Sequence, residues 1–365
     1  MKISLIVKRV AAATMLLGLA SQQALACTGI VLHAKDGTTV PARTMEFGFD
    51  LKSDIVAVPA GTRIETLALN PDETGFSYET KYGFAGANGF DMPVIVDGMN
   101  TEGLYFGIFY FAGSAVLDDL TPENKDHAIS SEELGNWVLG QFSTVAEVKE
   151  ALPKLAVVGT DIQEIGGPAP VHYAITDKTG ASIVVEYSAD GMKIWDNTVN
   201  AVTNNPTYDW HLTNLQNYIG LGMDAKDQIT VGSQVLKPFG QGTGMAGLPG
   251  DFTSPSRFVR ATAFANSTLP AETAGDAIFE AFHILNNFDI PKGSIREDLK
   301  DNGVMTEYTL WTSASDTQNL VYYFKTYEGQ DIESIDIVKV LDGLEKPKTL
   351  KMDKTFVIRD RTADF

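Results

Sequence analysis

Cys27 is the only cysteine of this 365-residue chain, so no internal disulfide can hold its fold together. The fold must therefore depend on a hydrophobic core, and 44% of the residues are apolar, which is enough for a large one. No charge block, low-complexity segment, Ser/Pro-rich linker or internal repeat marks a domain boundary. We therefore expect residues 27–365 to form a single domain.

The segment before Cys27 has the three parts of a secretory signal. The basic start MKISLIVKR is followed by an apolar run over residues 10–20 and by an A-x-A cleavage site at residues 24–26. This run is about eleven residues long, whereas a helix that spans a bilayer needs roughly 20. We predict that residues 1–26 are removed during export, that the protein is periplasmic, and that it has no stable membrane insertion.

Acidic residues dominate the chain that would remain after cleavage. It contains 25 basic and 47 acidic residues, which gives a formal charge of −22. Nucleic-acid binding requires a basic surface, so nucleic acid is excluded as a partner. The same charge disfavours anionic membrane surfaces.

Three interpretations account for a lone cysteine at the predicted cleavage point. A lipoprotein would acylate Cys27, but such signals have leucine at position −3, and here Leu25 lies at −2. A cysteine can also be an ordinary small buried apolar residue. The third interpretation is an N-terminal nucleophile, whose free α-amine has a pKa of about 7.7–8.0 and can serve as a base for the thiol. We favour the third, because cleavage would expose both groups together.

The order of predicted elements indicates an α+β fold. Apolar, β-branched segments predict strands over residues 27–34, 40–48, 54–60, 92–98, 103–111, 171–177, 181–187, 192–197, 200–206, 305–313, 318–326 and 333–339. Helical spacing and capping residues predict helices over residues 130–142, 143–152, 208–221, 254–267 and 274–288. This order lacks strict βαβ alternation and favours antiparallel sheets with helices on their outer faces.

Two motifs that could suggest other chemistry are not supported by their context. GTGMAG at residues 242–247 matches a dinucleotide-binding pattern, but a proline follows where the helix should begin. The five histidines lack the spacing of zinc ligands. His211 and His283 lie on predicted amphipathic helices, where a structural role is the more frequent one.

Polar residues near Cys27 suggest how the thiol could be activated. Arg43 and Glu46 lie on the strand predicted to form a hairpin with the Cys27 strand, which makes them neighbours of the chain start. An arginine beside a thiol favours the thiolate. Asn204 and Asn205 follow a predicted strand, where they can form a turn or donate to a developing oxyanion.

The chain resembles the choloylglycine hydrolase family, which contains conjugated bile salt hydrolases and penicillin V acylases. The motifs that carry the resemblance extend over nearly the whole mature chain: CTGIVL, ARTMEFG, VDGMNTEGL, VVEY, VTNNPTYDWHLTNL, GQGTGMAGLPGDFTSPSRF and FHILNNF. The resemblance implies an N-terminal nucleophile (Ntn) hydrolase with a four-layer αββα sandwich of two antiparallel sheets flanked by helices. It also implies a homotetramer and no cofactor or metal.

The family's catalytic roles transfer to five matching positions. Cys27 matches the nucleophile, and Arg43 in ARTME matches the arginine beside the thiol. Glu46 stands where the family usually has an aspartate that contacts the free amine. Asn204 matches the oxyanion-hole asparagine, and Arg257 in SPSRF matches a second arginine of the site.

Substrate class is indicated by Tyr110, since the family has either tyrosine or asparagine at this position. Tyrosine is associated with penicillin V acylases and asparagine with bile salt hydrolases, and the backbone N–H of Tyr110 would serve the oxyanion hole in both cases. Met45, Phe47 and Phe90 are candidates for an apolar acyl pocket or for plain core.

We expect a cofactor-independent linear amide hydrolase that removes apolar acyl groups from a small-molecule amide. Its expected substrates are phenoxymethylpenicillin and N-acyl homoserine lactones. The alternative is hydrolysis of conjugated bile acids, which would release glycine or taurine. A non-catalytic lipoprotein or binding protein is the competing class.

Overall fold

A computed structural model of the protein describes residues 26–66, 76–298 and 303–365, so the predicted export segment up to residue 25 lies outside the described residues. The strands within these ranges are β1 (Cys27–His33), β2 (Thr39–Phe47), β3 (Ile55–Val58), β4 (Arg63–Glu65), β5 (Ser77–Glu79), β6 (Phe84–Asn88), β7 (Ile95–Asn100), β8 (Tyr105–Tyr110), β9 (Ala128–Ser130), β10 (Ala156–Val158), β11 (Val171–Thr176), β12 (Ser182–Ser188), β13 (Gly191–Asp196), β14 (Ala201–Val202), β15 (Ile229–Val231), β16 (Gln234–Leu236), β17 (Ile295–Asp298), β18 (Val304–Asp316), β19 (Val321–Thr326), β20 (Glu333–Asp336) and β21 (Lys348–Leu350). The α-helices are α1 (Leu134–Gln141), α2 (Val145–Ala151), α3 (Tyr208–Leu215), α4 (Ser254–Ser267), α5 (Ala274–Leu285) and α6 (Ile337–Leu341).

Two large antiparallel sheets form the centre of the molecule. The first sheet has the strand order β14-β1-β2-β18-β19-β20, with β17 joined to β18. The second sheet has the order β13-β12-β11-β8-β7-β6-β3-β21. The central position of β1 and β2 in the first sheet buries the predicted nucleophile at Cys27.

Helices cover the outer face of each sheet. Helices α4 and α5 pack on β1, β2 and β18 of the first sheet, and α1 packs on β7 and β8 of the second. One apolar cluster fills the space between the sheets and continues under α4 and α5, while another lies between the second sheet and helices α1 and α2. The result is the predicted four-layer αββα sandwich.

The hairpin that begins at Cys27 forms as the sequence predicts. Strands β1 and β2 pair in register from Cys27 opposite Met45 to His33 opposite Thr39. The turn between the two strands is stabilised by its own residues. The Asp36 carboxylate accepts the Thr38 N–H at 2.9 Å, and Gly37 adopts a φ of 93° that other residues avoid.

Helix boundaries follow their capping residues. Thr144 and Glu147 form the capping box that begins α2, close to the predicted start.

Near the end of the chain, the expectation of one strand over residues 333–339 is wrong in its second half. The Asp336 side chain accepts the Lys339 N–H, which ends β20 and begins α6.

Among the helices of the described ranges, none is both long and apolar enough to cross a bilayer.

Candidate active site

The β1–β2 hairpin separates the predicted site residues onto two faces of the first sheet. Side chains two positions apart share a face, so Cys27, Arg43 and Met45 point toward the second sheet. Glu46 points the other way, toward α4 and α5. Two charged groups of the site therefore approach the cysteine from opposite sides of its own sheet.

The Cys27 thiol is buried among other side chains. Its sulfur is 3.8 Å from the Met45 sulfur, and the residue is 2% exposed. Burial raises the pKa of the Cys27 thiol, and the positive charge of Arg43 acts in the opposite direction. Thiolate formation thus depends on nearby positive charge.

Arg43 is fully buried and held from several sides. Its guanidinium donates to the backbone oxygen of Ile108 and, through Nε, to the backbone oxygen of Thr44 at 3.2 Å. It lies 4.1 Å above the centroid of the Phe109 ring. These contacts fix a positive charge between the two sheets, beside the thiol.

The buried carboxyl group of Asp97, on the second sheet, interacts with the positive charge of Arg43. Asp97 accepts hydrogen bonds from the Ser313 hydroxyl at 2.6 Å and the Tyr322 hydroxyl at 2.7 Å, and also from Tyr105. Burial raises the pKa of Asp97, and Arg43 lowers it. Asp97 was not among the site residues predicted from the sequence, although it lies in the VDGMN motif.

Asn204 connects Cys27 to the rest of the site. Its side-chain oxygen accepts the backbone N–H of Cys27 at 2.8 Å and a guanidinium N–H of Arg257 at 2.6 Å. Its side-chain nitrogen donates to the backbone oxygen of Tyr110 at 2.7 Å. An amide nitrogen carries two hydrogens, so a second N–H can still donate to a substrate.

Arg257 reaches Cys27 from the first turn of α4, behind the first sheet. It donates to the backbone oxygen of Cys27 and, at 2.9 Å, to the Thr28 hydroxyl. Its Nε donates to the backbone oxygen of Phe252 at 2.9 Å. Arg257 is 2% exposed, so a buried guanidinium holds the backbone of Cys27.

Two buried glutamates lie behind Cys27, and one of them, Glu46, was predicted from the sequence. Glu46 accepts the Thr309 hydroxyl at 2.9 Å, and burial raises its pKa to about 8. Glu307 accepts the backbone N–H of Ala26, the residue that precedes Cys27, and burial raises its pKa to about 7. The sequence offers one signal for Glu307, a glutamate inside a predicted strand. That signal does not show that Ala26 is its neighbour.

An apolar cavity opens at Cys27 between the two sheets. Met45, Phe47, Phe90 and Tyr110, all identified from the sequence, line it together with Cys27. The Phe47 ring makes edge contacts with Phe90 and Tyr110, at centroid distances of 6.3 and 6.1 Å. The remaining walls are mainly aliphatic: Leu51, Met92, Val94, Val96, Ile108, Ile162, Ile165, Ala169 and Val171, with Glu132.

No cluster of His, Cys, Asp and Glu suited to a metal ion occurs in the ranges that the structure describes.

The fold and the site define a class, since an αββα sandwich that carries a buried cysteine at the head of a central strand is the architecture of an Ntn hydrolase. Residues 27–348 match the linear amide C–N hydrolases, choloylglycine hydrolase family. The bile salt hydrolase/transferase of Clostridium perfringens is 36% identical over 335 residues, which cover 91% of this chain and 98% of that protein. The chain belongs to the choloylglycine hydrolase family and is a linear amide hydrolase.

Solved structures agree with this assignment. A mutant of the conjugated bile acid hydrolase from Clostridium perfringens superposes with a TM-score of 0.81 at 34% identity, covering 92% of this chain and 100% of that one. The penicillin V acylase from Agrobacterium tumefaciens has a TM-score of 0.72 at 24% identity, covering 89% and 91%. The second likeness is evidence for the fold alone.

Proposed function

We propose that this linear amide hydrolase cleaves conjugated bile acids and releases glycine or taurine, with Cys27 as the nucleophile. The observation that carries the proposal is the cavity that Cys27 lines, whose mainly aliphatic and aromatic walls suit a hydrocarbon acyl group. The choice of bile acids over other acyl amides rests on the relatives. Those with high coverage and more than 30% identity include bile salt and conjugated bile acid hydrolases.

The proposed reaction begins with removal of the segment up to Ala26 on export. The new α-amine of Cys27 takes the thiol proton, and the thiolate attacks the amide carbonyl carbon. The second N–H of Asn204 and the backbone N–H of Tyr110 donate to the oxyanion, and Arg43 favours the thiolate. The C–N bond then breaks, and the amine leaves with the proton held by the α-ammonium.

Hydrolysis of the acyl-thioester completes the cycle. The α-amine of Cys27 takes a proton from water, and the hydroxide attacks the thioester carbonyl. The C–S bond breaks, the carboxylic acid leaves, and the proton returns to the thiolate. Glu46 and Arg257 lie behind the nucleophile. In this mechanism Arg257 holds the backbone of Cys27, and Glu46 lies behind the same strand with its carboxyl group bonded to Thr309.

A second candidate substrate class is favoured by Tyr110, whose ring lines the cavity. By family resemblance, tyrosine at this position is associated with the removal of phenoxyacetyl and similar acyl groups. Phenoxymethylpenicillin and long-chain N-acyl homoserine lactones are the substrates of this alternative.

The test measures amine release by the exported, processed protein from glycocholate, taurocholate, phenoxymethylpenicillin and a long-chain acyl homoserine lactone. A higher kcat/KM on either bile acid conjugate supports the main proposal. A clear preference for phenoxymethylpenicillin or the lactone assigns the second class, and no release from any of them overturns both. Release that persists in Cys27→Ala contradicts the nucleophile.

Export and assembly are part of the same proposal. We propose a periplasmic homotetramer whose subunits begin at Cys27. Mass spectrometry of the exported protein tests the cleavage point and detects any acyl chain on Cys27. Light scattering after size-exclusion chromatography measures the number of subunits.

A further inference from the structure

Two buried histidines hold the backbone oxygens of consecutive residues at the candidate oxyanion site. His172, on β11, has its Nε2 atom 3.0 Å from the backbone oxygen of Thr203. His211, on α3, has its Nε2 atom 2.9 Å from the backbone oxygen of Asn204. Both histidines are 2% exposed. One histidine comes from the second sheet and the other from a helix, so different parts of the fold hold this one short segment.

Each imidazole is fixed by a phenylalanine stacked on its face. His172 stacks on Phe111 with ring centroids 4.4 Å apart and an interplanar angle of 8°. His211 stacks on Phe258 at the same 4.4 Å distance and an angle of 13°. Stacking leaves each ring little freedom to rotate, so the Nε2 atoms stay directed at the two oxygens.

The proton positions follow from the acceptors. A backbone oxygen can only accept, so Nε2 carries the proton in both histidines. Burial lowers the pKa of His211 to about 4, so this ring is neutral near pH 7. Its Nδ1 atom has no hydrogen-bond partner among the described residues, which agrees with a neutral ring that donates through Nε2. His172 has its Nδ1 atom 3.5 Å from a carboxylate oxygen of Glu186.

The segment that these histidines hold carries the Asn204 side chain. That side chain must reach the Cys27 nitrogen, Arg257 and the Tyr110 backbone at once, at 2.6–2.8 Å. A shift of this backbone would move the amide away from the position of the oxyanion. Misplacement by about 1 Å can cost roughly 10²-fold in rate.

We propose that His172 and His211 are positioning residues that fix the backbone of Asn204, so that its amide is held ready for the oxyanion. This inference rests on the role proposed above for Asn204. It does not depend on the identity of the acyl group, so it can be tested on whichever amide the enzyme cleaves.

The first test compares His211→Phe with His211→Gln in the processed enzyme. Glutamine retains an N–H donor, whereas phenylalanine retains the ring without a donor. We expect His211→Phe to lower kcat by about 10–100-fold with KM within about twofold, and His211→Gln to recover most of that loss. Equal decreases of kcat in the two variants, or a rise in KM with kcat unchanged, would overturn the proposal. His283→Phe, at an exposed histidine of α5, is the control and should retain full activity.

The second test is a double-mutant cycle that separates positioning from a general loss of stability. If His211 acts through Asn204, His211→Phe lowers kcat in the wild-type background but has little further effect in Asn204→Ala. The same cycle applies to His172→Phe. All rates are expressed per folded molecule, with the folded fraction measured by circular dichroism, so that unfolded protein does not contribute. Independent, multiplicative losses in the two backgrounds overturn the proposal. Full activity of Asn204→Ala instead overturns the role of Asn204 itself.

Discussion

The side-chain oxygen of Asn204 lies 2.8 Å from the backbone nitrogen of Cys27, although 177 positions separate the two residues in the chain. The same oxygen accepts from Arg257, so one acceptor joins the backbone of Cys27 to a buried positive charge. Strand β14, which ends just before Asn204, pairs with β1, and this pairing brings the two residues together. The arrangement of the candidate site around Cys27 is thus a consequence of the strand order in the first sheet.

Arg257→Lys tests how much the forked shape of the guanidinium contributes. A lysine keeps the charge, but its single nitrogen cannot replace the three separate guanidinium nitrogens that donate to Phe252, to Cys27 with Thr28, and to Asn204. We expect kcat to fall by about 10²-fold and the free energy of unfolding to fall by roughly 2–3 kcal/mol. Steady-state kinetics and urea denaturation measure the two effects.

Arg260→Lys is the matched control for that experiment. Arg260 lies on the same helix and is also buried, but it donates to the backbone oxygens of Pro249 and Asp251, away from Cys27. This variant should lose stability and retain its kcat. If both variants lose kcat equally, the effect is structural and the specific role of Arg257 is wrong.

Arg43→Met tests the electrostatic activation of the thiol. Because burial raises the pKa of Cys27 and Arg43 lowers it, removal of Arg43 should raise that pKa further. The pH dependence of alkylation by iodoacetamide measures the change, and alkylation should begin at higher pH. Arg43→Lys retains a charge and should shift the profile less. An unchanged profile in Arg43→Met would contradict the assignment.

Local sequence patterns predicted much of what the structure shows near the chain start. The turn after β1, the hairpin partner β2 and helix α4 at residues 254–267 all follow from nearby residues, including turn formers and a proline in the first helical turn. The position after a predicted strand pointed to Asn204 and Asn205 together. The resemblance to the family then selected Asn204 and supplied Arg257.

The remaining features depend on contacts between distant parts of the chain. Strand β18 pairs with β2 in the first sheet, and this pairing brings Thr309 opposite Glu46 and Glu307 against Ala26. Nothing in the local pattern of residues 305–313 specifies that neighbour. His211 was expected to be a structural residue, and only the three-dimensional arrangement shows its Nε2 at the Asn204 oxygen.

Glu46→Gln should change how stability depends on pH. The pKa of Glu46 is about 8 in the folded protein and near 4.5 in the unfolded chain, so folding favours the protonated form. Its contribution to the free energy of unfolding is complete below about pH 4.5 and decreases as the pH rises to about 8. Glutamine cannot ionise, so the variant should gain stability relative to the wild type across this interval, by up to a few kcal/mol.

Urea denaturation at several pH values between 5 and 9 measures the difference for Glu46→Gln. Glu272→Gln, at an exposed glutamate paired with Lys35, is the control and should show a small difference without this trend. A difference between Glu46→Gln and the wild type that stays constant from pH 5 to 9 would show that Glu46 does not titrate in this interval.

Gly29→Ala tests whether close packing between the two sheets, beside the thiol, holds Arg43 in place. A Cβ atom at Gly29 would lie 2.7 Å from both the Phe109 ring and the Val202 side chain, so the ring under the Arg43 guanidinium would have to move. We expect the free energy of unfolding to fall by about 1–3 kcal/mol and alkylation of Cys27 to shift to higher pH.

Gly250→Ala is the control, because a Cβ atom there would have no neighbour within 4 Å outside its adjacent residues. It should leave both stability and alkylation unchanged. If Gly29→Ala loses stability while the alkylation profile stays in place, Phe109 supports the core without affecting Arg43. A shift in both shows that the packing of β1 against β8 sets the position of the charge that activates the nucleophile.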